Sequence, residues 1–478
     1  MLFNSLEFLI FLPVVFILYW FVFKPLRWQN LFIVISSYVF YGWWNWHFLL
    51  LIAFTSFCSY FSGIMIQHDR QNGGGGYAKC YAALNIMVNL FILCLYKYYN
   101  FFVESLAEAF SSVGIELNIN SLNIVLPVGI SFYTFQALSY TIDVYRKKIE
   151  PTKDVIAFLA FISFFPQLVA GPIERATNLL PQFLKKRVFI YSVAVDGTKQ
   201  ILWGLFKKMV IADNCADIVD NIWNNYAEHS SLMLIVTAIF FAFQIYGDFS
   251  GYSDIAIGTA RLFGINLMRN FNFPYFSRDV AEFWKRWHIS LNTWFVDYVY
   301  IPLGGSREGK NKQLRNTFII FFTSGLWHGA NWTFILWGIY HALLFLPLMI
   351  IGKTKKYTET VAEGRSLPSI KEFFMMLLTF ALIVFGWIIF RANNITEFVD
   401  YLYCIVNNFC VAETEGIPKK LLLFIAILLC VEWLNRTKQY GLQFSLPKRW
   451  MRWGLYLFIA FIVLTQAGQQ VQFIYFQF

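Results

Sequence analysis

Long apolar runs recur along this chain, and they restrict its fold more than any other feature. They cover residues 6–23, 31–41, 47–66, 81–102, 124–145, 155–169, 192–212, 231–264, 318–322, 332–351, 373–390, 421–433 and 453–466. In hydrocarbon every backbone polar group must be satisfied within the segment, so such runs fold as helices, about 20 residues to a crossing. Only 14% of the 478 residues are charged and 58% are hydrophobic, where soluble domains carry about a quarter charged. The expectation is an all-α polytopic membrane protein. It would have about 11–13 membrane segments, re-entrant ones included, with boundaries good to a few residues. It reads as one multi-pass domain over residues 1–478, with a catalytic core near 124–352.

Net charge is +10. The Lys and Arg fall in short loops between apolar runs, which marks those loops as cytoplasmic and in contact with anionic lipid rather than with nucleic acid. The first basic loop, Lys24 to Arg27, places the N-terminus outside, and residues 1–23 read as a retained first span. Residues 104–123 and 213–229 carry acidic side chains but no Lys or Arg and read as external loops. Gly73 to Gly76 form a flexible cytoplasmic link. Residues 155–169 lie between two basic loops and are followed by a break from Ala170 to Arg175, so a re-entrant segment is expected there. The 7 cysteines are scattered without C-x-x-C, which supports neither a disulfide frame nor a zinc site. No metal is expected.

Polar residues inside the apolar runs carry the functional signal. His328 stands between residues 318–322 and 332–351, in what reads as a hairpin of two membrane segments with His328 near its turn. An imidazole at that depth should face the protein interior or a wet cavity, and a neutral imidazole is what a general base needs. The plain alternative is an interior histidine bonded to a carbonyl. His288 follows Lys285 and Arg286 and precedes Ser290, Asn292 and Asp297; it fits an acid–base relay or, more plainly, an interfacial residue. His341 would lie about 20 Å beyond His328 on a straight helix and reads as a packing residue. Residues 231–264 exceed one untilted span of roughly 20 residues, and Gln244, Tyr246, Gly247, Asp248, Gly251 and Asp254 interrupt them. Asp248 and Asp254 should line an interior, bonded to buried backbone or hydroxyl groups. Gly304 to Asn311 nearly matches a phosphate-binding loop, but the last position is Asn and no buried strand precedes it. Arg307 and Lys310 instead form a basic rim suited to CoA phosphates, or simply a positive-inside loop.

The motifs Q-I-Y-G-D-F-S-G-Y-S-D, F-W-K-R-W-H-I-S-L, Y-I-P-L-G-G and L-W-H-G-A-N-W-T, at residues 244–254, 283–291, 300–305 and 326–333, together resemble the membrane-bound O-acyltransferases. The nearest likeness is to the bacterial alginate O-acetyltransferase branch. The resemblance runs from the first residues to about residue 390. It implies helices ringed around a funnel and a tunnel between the two membrane faces, with Gln244, Tyr246, Asp248, Asp254 and Tyr300 as tunnel lining. It also implies His328 as the catalytic histidine and His288 as the second. The acyl group would come from a cytoplasmic thioester such as acetyl-CoA, with no bound cofactor. It would end on a hydroxyl of an extracytoplasmic polysaccharide, often through a partner protein, at a bacterial inner membrane. Asn331 and Trp327 are candidates to hold the tetrahedral oxyanion. Two alternatives stand beside this reading. One is D-alanyl transfer to a teichoic acid-type polymer from a carrier protein. The other is a polytopic transporter or flippase, for which a two-half repeat would be the signature, and the motifs do not recur.

Overall fold

A computed structural model describes the chain except residues 74, 117–120, 123, 170, 411–415, 445 and 477–478. Among the described residues every regular element is helical. The chain divides into two compact units: one comprises Met1–Ala194 with Ala260–Leu267, the other Val195–Thr259 with Met268–Phe478. Among the described residues five helices are long and apolar enough to cross a membrane, two of them His47–Gln71 and Tyr77–Ser111. The other apolar stretches form shorter helices or helices with π-helical turns.

The first unit holds α1 (Leu6–Ile17), α2 (Leu26–Gly42), α3 (His47–Gln71), α4 (Tyr77–Ser111), α5 (Ile130–Tyr145), α6 (Val155–Ser163), α7 (Phe165–Leu168), α8 (Ala176–Leu184) and the start of α9 (Tyr191–Leu205). Buried amides join its long helices. Asn85 of α4 donates to Thr141 Oγ1 of α5 at 2.7 Å and to Ser59 Oγ of α3 at 3.2 Å. α4 continues through Glu104 and Glu108 to Ser111, so part of the expected external loop is helix; residues 117–120 and 123 of that loop lie outside the described residues. The same holds for Gly74 in the glycine link and Ala170 in the expected break. Residues 155–169 form two short helices rather than a crossing. α6 starts on Asp154, whose carboxylate accepts from Ile156 N and Ala157 N at 3.0 Å. It ends after nine residues, about 13 Å at 1.5 Å per residue.

The second unit holds most of α9, then α10 (Asp213–Asn224), most of α11 (Ser231–Leu262), α12 (Val280–Arg286), α13 (Ile289–Phe295), α14 (Lys310–His328), α15 (Trp332–Ile350), α16 (Ile370–Arg391), α17 (Ile395–Asn407), α18 (Lys419–Leu434) and α19 (Arg449–Gln466). The expected interruption of residues 231–264 is absent: α11 runs unbroken over 32 residues. Its glycines serve close approach instead of breaking the helix. A methyl on Gly258 would stand 2.5 Å from the Gly197 carbonyl oxygen, and one on Gly251 2.8 Å from that of Gly204. Small residues of this kind let two helix backbones meet.

α14 and α15 form the expected hairpin. α14 ends at His328, Gly329 is extended, and Asn331 caps α15 by accepting from Thr333 N at 3.0 Å. The two arms meet backbone to backbone, since a methyl on Gly338 would lie 2.4 Å from the Phe321 carbonyl oxygen.

Candidate active site

The hairpin turn buries His328, which is 3% exposed. Its ring stands edge-on to Trp337 at 4.9 Å and to Phe390 at 5.3 Å, and lies 5.0 Å from Trp327 and 5.5 Å from Tyr475. His288, 2% exposed, stands edge-on to Phe249 at 4.6 Å. It lies 5.7 Å from Trp327 and 6.4 Å from Tyr475. Trp327 and Tyr475 therefore neighbour both imidazoles. The legs through Trp327, 5.7 and 5.0 Å, set the upper limit on the separation of the two rings.

His288 occupies the left-handed region, φ 44° and ψ 54°, as the residue before α13. A side-chain-bearing residue is rare there and persists only where its surroundings fix it. Asn270 supplies much of that fixation. Its carbonyl accepts from Ile289 N at 2.9 Å and its side chain accepts from Ser290 Oγ at 2.8 Å. Asn292 donates to Trp287 O at 3.0 Å and also to Trp284 O. Neither ring nitrogen of His288 has a hydrogen-bond partner among the described residues. The charged part of the F-W-K-R-W-H motif serves the scaffold: Arg286 pairs with Glu282 at 2.8 Å, as does Arg278 at 3.0 Å.

His341 is fully buried between Trp284 and Trp337, each 4.9 Å away. The straight-helix spacing of about 20 Å from His328 does not apply, because the chain reverses at residues 329–331 and Trp337 touches both histidines.

A cavity of about 330 Å³ lies beside Phe390 and the residues that follow the hairpin turn. Its wall includes Gln244, Ala330, Asn331, Asn393 and Phe390, the last being the ring against His328. Arg391 and Asp220, joined at 2.8 Å, complete its polar side. Beyond Asn393 a second, open cavity of about 470 Å³ is bordered by Tyr226, Asn394, Glu397 and Asp400. Gln244 and Asn331 thus face a cavity, as a lining or positioning role requires. The Asn331 amide is also engaged in structure, donating to Asn393 O at 2.6 Å.

Asp248, Asp254 and Tyr246 belong to buried polar clusters. Asp248 pairs with Lys208 at 2.7 Å and accepts from Ile474 N at 2.7 Å. Lys208 also meets Asp213 at 2.8 Å. Asp254 pairs with Lys207 at 2.6 Å and accepts from Gln200 at 2.7 Å. The Tyr246 hydroxyl donates to Glu432 at 2.9 Å. Lys207, Asp254, Tyr246 and Glu432 border a void of about 10 Å³, the size of one water probe. Sequence reasoning missed Lys207, Lys208 and Glu432. The signal was present: each is a charge inside an apolar run, which demands a buried partner. It also missed Tyr475, which nothing in the local sequence distinguishes.

Tyr300 closes the π-helical turn Val296–Tyr300, and its carbonyl accepts from Gly305 N at 2.9 Å. Arg307 and Lys310 are exposed, and Lys310 donates to Ile350 O at 2.9 Å. Lys310 opens α14 and His328 closes it, so rim and imidazole lie about 27 Å apart at 1.5 Å per residue. Among the described residues no group of three or more His, Cys, Asp or Glu is placed to hold a metal ion.

A buried imidazole against a ring that lines a polar cavity, a second imidazole across a shared aromatic pair, and a basic rim at the far end of the same helix suit acid–base chemistry between two compartments. Comparison with known proteins agrees. The family model for MBOAT, the membrane-bound O-acyltransferase family, matches residues 151–390. The probable alginate O-acetylase of Pseudomonas aeruginosa is 40% identical over 402 residues, covering 83% of this chain and 73% of the relative. The peptidoglycan O-acetyltransferase of Helicobacter pylori is 33% identical over 434 residues, covering 84% and 79%. The teichoic acid D-alanyltransferase of Bacillus subtilis is more distant, 26% identical and covering 57% of this chain and 70% of its own. This multi-pass membrane protein belongs to the membrane-bound O-acyltransferase family.

Proposed function

We propose that the chain transfers an acetyl group from a cytoplasmic thioester, acetyl-CoA, to hydroxyls of an extracytoplasmic polysaccharide at a bacterial inner membrane, with its N-terminus outside. Membership of an acyltransferase family places it among enzymes rather than transporters. The O-acetyl-transferring relatives, at 33–40% identity, favour acetyl over D-alanyl as the group moved. The acceptor enters directly or as part of an extracytoplasmic partner protein.

The observation that carries the reading is His328, buried at the hairpin turn against Phe390, a ring that also lines a polar cavity. In this reading the acceptor hydroxyl approaches through that cavity and His328 removes its proton, a contribution of roughly 10²–10⁴-fold. The new C–O bond forms as the hydroxyl oxygen attacks the thioester carbonyl. Collapse of the tetrahedral intermediate breaks the C–S bond, and the departing thiolate takes the proton from His328. His288, neither of whose nitrogens is hydrogen-bonded among the described residues, assists from the other side of Trp327. The rim at Arg307 and Lys310 receives donor phosphates, and an extended thioester arm spans the length of α14.

The test is complementation of a strain lacking the gene, scored as alkali-labile acetate on the surface polymer. His328→Ala, present in membranes at the wild-type level, is expected to leave no acetate above background. Wild-type acetylation by that variant would remove His328 from the chemistry.

A further inference from the structure

Two cavities share Asn393 in their walls and form a vestibule whose charge the acyl-transfer reading leaves unused. The inner one, about 330 Å³, stands at the small end of the range for ligand sites, with room for a single sugar ring. The outer one, about 470 Å³, is open. The loop between them is pinned. Asn393 O accepts from Asn331 at 2.6 Å, Asn393 N donates to Glu397 at 2.9 Å, and Glu397 also accepts from the Trp223 indole. Asn394 caps α17 by accepting from Glu397 N at 2.8 Å. The inner wall carries an unfilled polar group as well. Gln244 is only 8% exposed, and its side-chain oxygen has no hydrogen-bond partner among the described residues. A buried carbonyl oxygen calls for a donor, and a hydroxyl entering the cavity can supply one. The charges of the vestibule are of one sign beyond a single neutral pair, Arg391 with Asp220 at 2.8 Å. Glu397 and Asp400 border the outer cavity without a cationic partner among the described residues. Residues 213–229, which supply Tyr226 to the same wall, contain no Lys or Arg.

We infer that this vestibule binds the acceptor as an uncharged sugar, Gln244 accepting a hydrogen bond from one of its hydroxyls while Glu397 and Asp400 turn uronates away. The inference rests on the acyl-transfer reading above and adds to it the class of polysaccharide that presents the hydroxyl. Carboxylates in a cleft with apolar walls reinforce one another's field. A uronate would bring a further negative charge into that field, and a neutral hexose would not. Phe334 and Phe390, both in the inner wall, offer apolar surface to the C–H face of the ring, and the few polar groups fix its orientation. Gln244 acts in holding the sugar and Asp400 in excluding its acidic counterpart, so the two effects separate.

The test is binding to the full-length protein in lipid nanodiscs, followed by ligand-observed NMR. Two tetrasaccharides are titrated at low salt, neutral cellotetraose and anionic tetragalacturonate. Cellotetraose should bind more than about tenfold tighter, as two nearby carboxylates require, and the gap should shrink as salt screens the open vestibule. Gln244→Leu should weaken cellotetraose by about three- to tenfold, the worth of one hydrogen bond. Asp400→Asn should narrow the preference about fivefold. Asp400 is exposed, so that variant answers the question should Gln244→Leu fail to accumulate. Equal affinities, tighter binding of the uronate, binding of neither sugar, or a wild-type preference in Asp400→Asn would overturn the inference. His328→Ala in the complementation assay separates the two claims. Full acetylation there defeats the histidine reading, whereas acetate lost there with no sugar preference in the nanodiscs defeats only the acceptor inference.

Discussion

The backbone at His288 is held left-handed, φ 44°, a conformation that costs a residue with a Cβ about 1–2 kcal/mol. Glycine escapes that penalty but loses more chain entropy on folding. His288→Gly should therefore be more stable than His288→Ala by about 0.5–1 kcal/mol, the reverse of their order in a helix. Thermal melting in detergent decides it; an alanine variant at least as stable as the glycine one would mean the conformation is not strained. Asn331 offers a second separation. Asn331→Asp keeps the acceptor for Thr333 N and removes the donor to Asn393 O. It should melt below wild type by the worth of one hydrogen bond, about 0.5–1.5 kcal/mol, whereas Asn331→Ala should lose about 1 kcal/mol more with its cap. If Asn331→Asp acetylates at the full rate, the amide donor has no part in the oxyanion. The burial of His328 was legible in the sequence because titratable groups are scarce in apolar runs, whereas His288 read more plainly as an interfacial residue and is buried. Tyr475 was not legible, because one Tyr among 26 in an aromatic-rich chain carries no mark of its own.

A helix reads from its periodicity, but what its glycines do depends on what faces them. In α11 Gly247 and Gly251 suggested a break, yet they lie against the Lys207 and Gly204 carbonyls and the helix stays whole. The same ambiguity can be tested on two glycines that look alike in sequence. Gly338, inside α15, meets the Phe321 carbonyl, while Gly454, inside α19, has nothing within 4 Å of an added methyl. Gly338→Ala should destabilise by about 1–3 kcal/mol through backbone displacement, with reduced accumulation in the membrane. Gly454→Ala should be neutral or stabilise by up to about 1 kcal/mol. Equal melting temperatures for the two variants would refute the close contact of α14 with α15. The hairpin itself was legible, since a polar turn between two apolar runs permits little else. The fate of residues 155–169 was legible only through the basic loops on both sides, and Asp154 sets where the short helix begins.

Taken across the whole chain, positive charge gathers in the loops and at helix ends, yet the second unit also buries lysines against carboxylates. Lys207 is 3% exposed and Lys208 1%. This part of the fold was hard to read because each charge takes a partner distant in sequence: Lys207 with Asp254 and Lys208 with Asp248. The pairing makes a prediction that no local reading would. Removing one member strands the other in a medium that solvates it poorly, a loss of about 3–5 kcal/mol for a buried pair. Lys207→Met and Asp254→Asn should therefore each destabilise strongly. The double variant should lose much less than the sum, with a coupling above about 1 kcal/mol. Raising the salt concentration should leave that coupling unchanged, since buried charges are screened little. The exposed pair Lys312–Glu308, at 2.6 Å with both side chains about half in solvent, serves as the contrast; its cycle should show no measurable coupling in high salt. Unfolding of all variants in detergent, followed by tryptophan fluorescence, gives the cycle. Additive effects of Lys207→Met and Asp254→Asn would mean that the buried charges do not hold each other. The placement of Asp254 in the interior would then need another cause.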